Sequence, residues 1–209
     1  MKLNKLQQKE TFKTLVFATL KITLMGSIIG VFHKYDFWVG LFLLAYLCYF
    51  LYKSYYNVVS KNWILIAGML LTGVLGICAE IWGVTNEYWE YHDLTNNRQL
   101  PYWLPLAWMF AFRFIYLLEH KLINSLGLKK MSHKTWLAIF IVAFFPAFGE
   151  VITINLGVWT YSWPYQFLGV PLYAVLCLVA LHMGINYILS IWVKKKNIKD
   201  AVFITEKEN

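Results

Sequence analysis

The chain has 209 residues, of which 59% are hydrophobic and only 14% charged, against roughly 25% charged in an ordinary soluble domain. That deficit excludes a water-soluble globular protein of ordinary composition and points to lipid as the solvent. The net charge of +8 does not suggest a nucleic-acid partner, because the lysines fall in short segments between apolar runs and not on one continuous basic face.

Apolar stretches of about the length a bilayer requires cover 14–32, 37–52, 63–83, 102–118, 136–156 and 172–193. They predict an all-α, polytopic membrane helix bundle of about six transmembrane helices, forming one integral membrane domain over 1–209. The first run follows a basic segment, 1–13, but is long and lacks a small-x-small cleavage site, so it is expected to be a span and not a signal peptide. Cys48, Cys78 and Cys177 lie inside apolar runs without metal-site or disulfide spacing and are expected to be small core residues. The 10 Trp and 14 Tyr suit the headgroup level, where an amphipathic ring keeps one end wet.

Cationic residues collect on the cytoplasmic side during insertion, and the lysines alternate along this chain. Lys2, Lys5, Lys9 and Lys13 precede the first run, Lys53 and Lys61 separate the second from the third, and Lys121, Lys129, Lys130 and Lys134 separate the fourth from the fifth. Lys194, Lys195, Lys196 and Lys199 follow the sixth, whereas the other connections are poor in cations. Both termini are therefore expected on the cytoplasmic side of the plasma membrane. Lys21 can snorkel to that face. The two longer outer connections, 85–101 and 157–171, are rich in aromatics and proline and are expected to fold back over the bundle, where protein or a water-filled cavity covers irregular backbone.

An internal repeat runs through these segments. Glu80, Trp89, Tyr91 and Pro101 recur without a gap as Glu150, Trp159, Tyr161 and Pro171, the pattern E-x8-W-x-Y-x9-P. The two copies cover approximately 63–118 and 136–193, a duplicated helix hairpin. Both run from the cytoplasm outward and back, so a parallel relation about an axis along the membrane normal is expected, unlike inverted transporter repeats. Small residues, Ala79 and Gly149, precede both carboxylates, and Gly76 and Pro146 sit four before each, favouring close helix approach.

A carboxylate at hydrocarbon depth is expensive and marks a functional site or a paired structural charge. Two neighbouring carboxylates in low dielectric do not both ionise easily, so one of Glu80 and Glu150 is expected to stay protonated as a general acid. The even spacing of Trp89, Tyr91, Trp159 and Tyr161 suits extended segments presenting one side. Their π-faces would stabilise a nearby cation, and interfacial anchoring is the alternative. Arg113 and His182 occupy near-equivalent places below the glutamates, where a structural pair competes with a proton-relay role. Asn155 would share the glutamate pocket or end its helix. Tyr91, His92 and Asp93 alone make a poor metal site, no nucleotide or hydrolase motif is present, and neither metal nor organic cofactor is expected.

Glu150, the run GVWTY at 157–161 and LGVP at 168–171 resemble the membrane-embedded lycopene cyclases of carotenoid pathways, which carry an acid nine before W-x-Y and then Gly-Ile/Val-Pro. Glu80 with the IWGV that follows it, Tyr91, Pro101 and the PLAW at 105–108 also resemble the carotenoid hydratase membrane family. The resemblance covers about 63–193. It implies a small helical membrane enzyme that protonates an isoprenoid double bond, leading to cyclisation or hydration, with Glu80 and Glu150 at the families' acidic positions. The cyclases' paired glutamate after the proline is replaced here by Tyr102 and Trp103, and by Leu172 and Tyr173, so the resemblance implies shared chemistry and not a particular substrate.

The expected function is thus a membrane enzyme of isoprenoid or carotenoid-like lipid metabolism. Its expected partners are the lipid bilayer and an apolar lipid substrate, with homo- or hetero-oligomers open. The alternatives are a proton-coupled small-solute transporter and a non-catalytic lipid-binding protein.

Overall fold

The structure is a computed structural model that describes residues 4–56 and 63–203, with the side chains of 54–56 excepted. Lys2 and Lys61, part of the alternating lysine pattern, lie outside the described residues. The chain is mostly helical: α1 (Lys5–Phe32), α2 (Asp36–Tyr56), α3 (Trp63–Thr85), α4 (Leu104–Leu126), α5 (Met131–Asn155) and α6 (Leu172–Lys195). Four stretches, Lys5–Lys53, Trp63–Thr85, Met131–Asn155 and Leu172–Lys195, are long and apolar enough to cross a membrane. They present large apolar side chains outward, among them Leu20, Leu24, Phe42, Val74, Phe140, Leu176 and Ile188. A surface of that kind marks a membrane or partner-facing exterior.

Helix α1 begins at Asn4, whose side chain accepts from the Gln7 amide at 2.8 Å while the Gln7 side chain accepts from the Asn4 amide at 3.0 Å. This reciprocal cap satisfies two orphan donors of the first turn. A single 3-10 turn, His33–Tyr35, joins α1 to α2. The chain reverses there. Thr11 near the start of α1 meets Ser125 near the end of α4, so those two helices run antiparallel, whereas Tyr46 of α2 packs on Phe110 of α4 and Phe50 on Arg113, so those two run in the same direction.

Helices α3, α4, α5 and α6 form a closed ring in which each packs against the next and α6 returns to α3. Helix α1 lies over α4 and α5, and α2 over α4. Helix α4 therefore has neighbours on most sides, and within that shelter it carries the half-buried Arg113 and the buried Glu119. It ends at Gly127, whose φ of +63° supplies the left-handed cap that carbonyls at a helix end require.

The connections between α3 and α4 and between α5 and α6 meet at one end of the bundle. Strand β1 (Trp89–Tyr91) pairs antiparallel with β2 (Trp159–Tyr161), with Trp89 opposite Tyr161, Glu90 opposite Thr160 and Tyr91 opposite Trp159. The register is symmetric about Glu90 and Thr160. A two-residue pair, β3 (Gln166–Phe167) with β4 (Val170–Pro171), leads into α6. At the opposite end the segment after α6 turns back onto the bundle: Val202 and Phe203 are buried with Leu65, Ile185 and Val193, the Tyr116 hydroxyl donates to Asp200, and Lys134 Nζ donates to the Ala201 carbonyl at 2.6 Å. Lys134 is buried, so this lysine serves packing as well as charge.

The cysteines depart from expectation. Cys48, Cys78 and Cys177 are free and exposed, not core residues. An apolar run in a lipid-facing helix has no polar side to turn outward, so an apolar neighbourhood in sequence does not place a side chain inside.

Candidate functional site

Glu80 lies near the end of α3 and Glu150 near the end of α5, and both line one cavity of about 70 Å3. Glu80 is buried and accepts three side-chain hydrogen bonds. Trp89 Nε1 and the Tyr91 hydroxyl donate to Oε2 at 2.8 and 3.0 Å, and Trp108 Nε1 donates to Oε1 at 3.1 Å. Two glycines of α3 permit this arrangement. A Cβ at Gly83 would occupy the Trp89 indole, and one at Gly76 would occupy the Trp108 indole.

Glu150 is bonded more sparsely. The Tyr161 hydroxyl donates to its Oε2 at 3.0 Å, the same length as the Tyr91 bond to Glu80. Trp159 does not repeat the part of Trp89; it packs against Tyr91, with ring centroids 5.6 Å apart. At the place corresponding to Gly83 stands Thr153, buried, its hydroxyl donating to the Gly149 and Glu150 carbonyls. A branched side chain there fills the space that Gly83 leaves for an indole. At the place corresponding to Trp108 stands Leu178, which also lines the cavity.

The remaining walls are Ala79, Trp163, Ala174, Cys177 and Leu181. Trp163 lies at the end of the cavity beside β1 and β2 as the centre of an aromatic cluster, with ring centroids 5.0 Å from Tyr88, 5.6 Å from Trp89, 5.9 Å from Tyr173 and 6.2 Å from Tyr161. Burial, and then the charge of the neighbouring glutamate, pushes the phenols of Tyr91 and Tyr161 well above the usual tyrosine range. Both therefore remain hydrogen-bond donors at any ordinary pH.

The connections are fastened by ion pairs. Arg98 Nη1 donates to Asp36 Oδ2 at 2.7 Å and Nη2 donates to Oδ1 at 3.2 Å, a two-point contact that also receives the Tyr102 amide at 3.2 Å. Its hydrogen bonds to Asp36 hold the Arg98 guanidinium above its ordinary range. His33 Nε2 donates to Asp93 Oδ2 at 3.0 Å, and Lys34 lies 3.6 Å from the same oxygen. The His33 bond, more than Lys34, holds the Asp93 carboxyl below its usual range. These contacts tie the segment between β1 and α4 to the turn between α1 and α2.

Not every residue singled out by the sequence reaches the cavity. His182 is buried one level below, where Nε2 lies 2.9 Å from Glu119 Oε1 and 2.9 Å from Asn186 Nδ2. A second cavity of about 40 Å3, lined by His182, Thr72 and Pro146, adjoins the first through the shared walls Trp108, Leu178 and Leu181. Arg113 is in neither cavity; its guanidinium lies over Phe50 at 4.5 Å. Asn155 is exposed and donates to the Val151 carbonyl at 2.7 Å, so the structure places it at its helix end and away from the glutamates. Among the described residues no three His, Cys, Asp or Glu side chains come together as a metal site would need.

Two cavity residues, Trp108 and Trp163, and the buried partner of His182, Glu119, were not among the expected site residues. Trp108 and Trp163 have no aromatic counterpart in the other copy, so the repeat does not flag them. Glu119 follows directly on the apolar run at 102–118; an acid inside the next helical turn was the available signal, since α4 runs on to Leu126. No family model, curated protein or solved structure matches the chain.

Proposed function

We propose that this chain is a six-pass membrane enzyme that protonates a double bond of an isoprenoid or similar long apolar lipid, leading to cyclisation or hydration. The observation that carries the reading is the meeting of Glu80 and Glu150 at one small cavity walled by indole and phenol rings. Glu80 is held in place by three donors, whereas Glu150 has one, from Tyr161. In this reading Glu150 gives the proton and Glu80 is the fixed charge across the cavity. The faces of Trp89, Trp108 and Trp163 then lie near the cation that develops on the substrate. They accelerate the step to the extent that they hold the cation more tightly than the neutral substrate.

The six passes and the duplicated hairpin belong to the same proposal. Strands β1 and β2 pair in a register symmetric about Glu90 and Thr160, and each copy's tyrosine bonds its own glutamate at 3.0 Å. Both features suit a two-fold axis along the bundle that relates 63–118 to 136–193. The lysine pattern puts the glutamates toward the outer face of the plasma membrane and both termini in the cytoplasm.

A proton-coupled transporter is the second reading, favoured by the buried Glu119, His182 and Asn186 contacts beneath the cavity. Mass analysis of lipids and pigments from cells with and without the chain tests the enzyme reading. A lipid that appears only with the chain, heavier than its precursor by one water or isomeric with it, supports it. Identical lipid profiles, together with solute-coupled proton flux in liposomes, would favour transport.

A further inference from the structure

We propose that the glutamate cavity opens sideways to the bilayer, through the seam between α3 and α6 at Ala79, Ala174 and Cys177, and takes in there the end of one extended apolar chain. The inference rests on the reading of the cavity as a site for an apolar lipid and adds the route and shape of that ligand.

The end of the cavity beside β1 and β2 is closed by Trp163 and the rings around it. Deeper in the bundle it is backed by Leu178 and Leu181. On the α6 side one lining residue is exposed at the helix surface, Cys177. Its position on α6 is settled by its neighbours: Leu181, one turn on, packs with the cluster that contains Leu65 and Met69 of α3, whereas Leu178 and Val179 pack with Ile141, Val142 and Phe145 of α5. Cys177 thus stands on the edge of α6 nearer α3. Across the seam the α3 wall is Ala79, and α6 contributes Ala174. Three small side chains leave the seam thin. Beside it the exposed side chains are Leu176, next to Cys177, and Trp82 of α3 and Tyr173 of α6, which both meet the wall residue Trp163; such an apolar and aromatic face suits lipid and its interface.

Volume sets the shape of the ligand. The cavity of about 70 Å3 is about half of the roughly 150 Å3 that encloses a benzene ring in a protein core. A whole lipid does not fit, but a chain terminus of a few carbons does, with the remainder lying along the α3 and α6 surface in the bilayer. A compact polycyclic ligand has no way in.

Two spin-labelled forms in phosphatidylcholine liposomes test the route. One keeps Cys177 alone (Cys48→Ser, Cys78→Ser); the other keeps Cys48 alone (Cys78→Ser, Cys177→Ser), exposed on α2 and not lining the cavity. The label at Cys177 is expected to collide with oxygen far more than with a water-soluble nickel chelate. Squalene, a linear unsaturated hydrocarbon, is expected to slow it and shield it from oxygen while leaving the label at Cys48 unchanged. Greater access for the nickel chelate at Cys177, or equal responses at both positions, overturns the route. The Glu150→Gln variant of the Cys177 form is expected to show the same squalene effect, so the route stands or falls separately from the acid chemistry. Where lipid conversion is present, Cys177→Phe is expected to lower it by about tenfold or more by displacing the entering chain, and unchanged conversion overturns the route.

Discussion

Gly83 lies directly beneath the indole of Trp89, in space that even a single methyl group would fill. The absent side chain on α3 therefore decides whether Trp89 Nε1 reaches Glu80. Gly83→Ala should expel the ring and cost about 1–3 kcal/mol through overpacking, read as a lower unfolding temperature in detergent and altered tryptophan fluorescence. Gly76→Ala should act alike through Trp108. Gly184, with open space around it, is the control: Gly184→Ala should be neutral or stabilise by up to about 1 kcal/mol.

The two tyrosines should differ in consequence. Tyr91→Phe leaves Glu80 with two indole donors, whereas Tyr161→Phe removes the one side-chain donor that Glu150 has among the described residues. A buried polar group left without its hydrogen-bond partner costs about 1–3 kcal/mol, more than the loss of one bond from a group that keeps two others. Tyr161→Phe should consequently affect unfolding temperature and any lipid conversion more than Tyr91→Phe does.

The same phenols make a pH prediction. Burial and the glutamate charges raise both above the ordinary phenol range, so folding favours the protonated form. Stability from this source is fully present below about pH 10, where unfolded tyrosine begins to ionise, and is lost as pH rises beyond it. In an ultraviolet titration of the folded protein, the exposed tyrosines should ionise first. Tyr91 and Tyr161 should follow only as the protein unfolds, and Tyr91→Phe with Tyr161→Phe should remove that late step.

Glu119 and His182 form a buried contact that should behave as a coupled unit. Removing either partner, by Glu119→Leu or His182→Phe, strands the other in the bundle at a cost of about 3–5 kcal/mol. The double variant should cost less than the sum of the singles, and a double-mutant cycle on unfolding free energies checks this. Additive losses would show that the two side chains act independently.

Arg98→Ala should loosen the segment between β1 and α4, because Asp36 is buried and would be left with the Tyr102 and Phe37 amides and no cation to pair it. Hydrogen exchange should quicken around Tyr102 and in β1, with a lower unfolding temperature. Protection unchanged from the native chain would show that the ion pair does not fasten the segment.

Much of the helix layout was legible because a helix that faces lipid must be apolar over its length, and the runs at 63–83 and 172–193 start where α3 and α6 start. The alternation in Trp89-x-Tyr91 and Trp159-x-Tyr161 foretold extended segments. Their pairing with one another was not legible, since a three-residue strand carries no mark of its partner. The asymmetry of the two glutamates was equally hidden. It depends on Gly83 against Thr153 and on Trp108 against Leu178, differences at positions outside the repeated letters. Exposed Cys177 and buried Lys134 were hidden for different reasons: an apolar run carries no mark of which side faces lipid, and Lys134 is covered by the segment after α6, whose return onto the bundle has no sequence mark.

The central claim is that Glu80 and Glu150 act as one acid site, and lipid conversion by carboxyl variants tests it most directly. Membranes carrying the native chain, Glu80→Gln, Glu150→Gln or Glu150→Asp would be compared for product formed from an added linear isoprenoid, with folding checked by elution as a single species in detergent. The account predicts that both Gln variants fold and lose conversion, while Glu150→Asp, which keeps an acid one methylene short, retains a fraction. Conversion by both Gln variants at the native rate would contradict it.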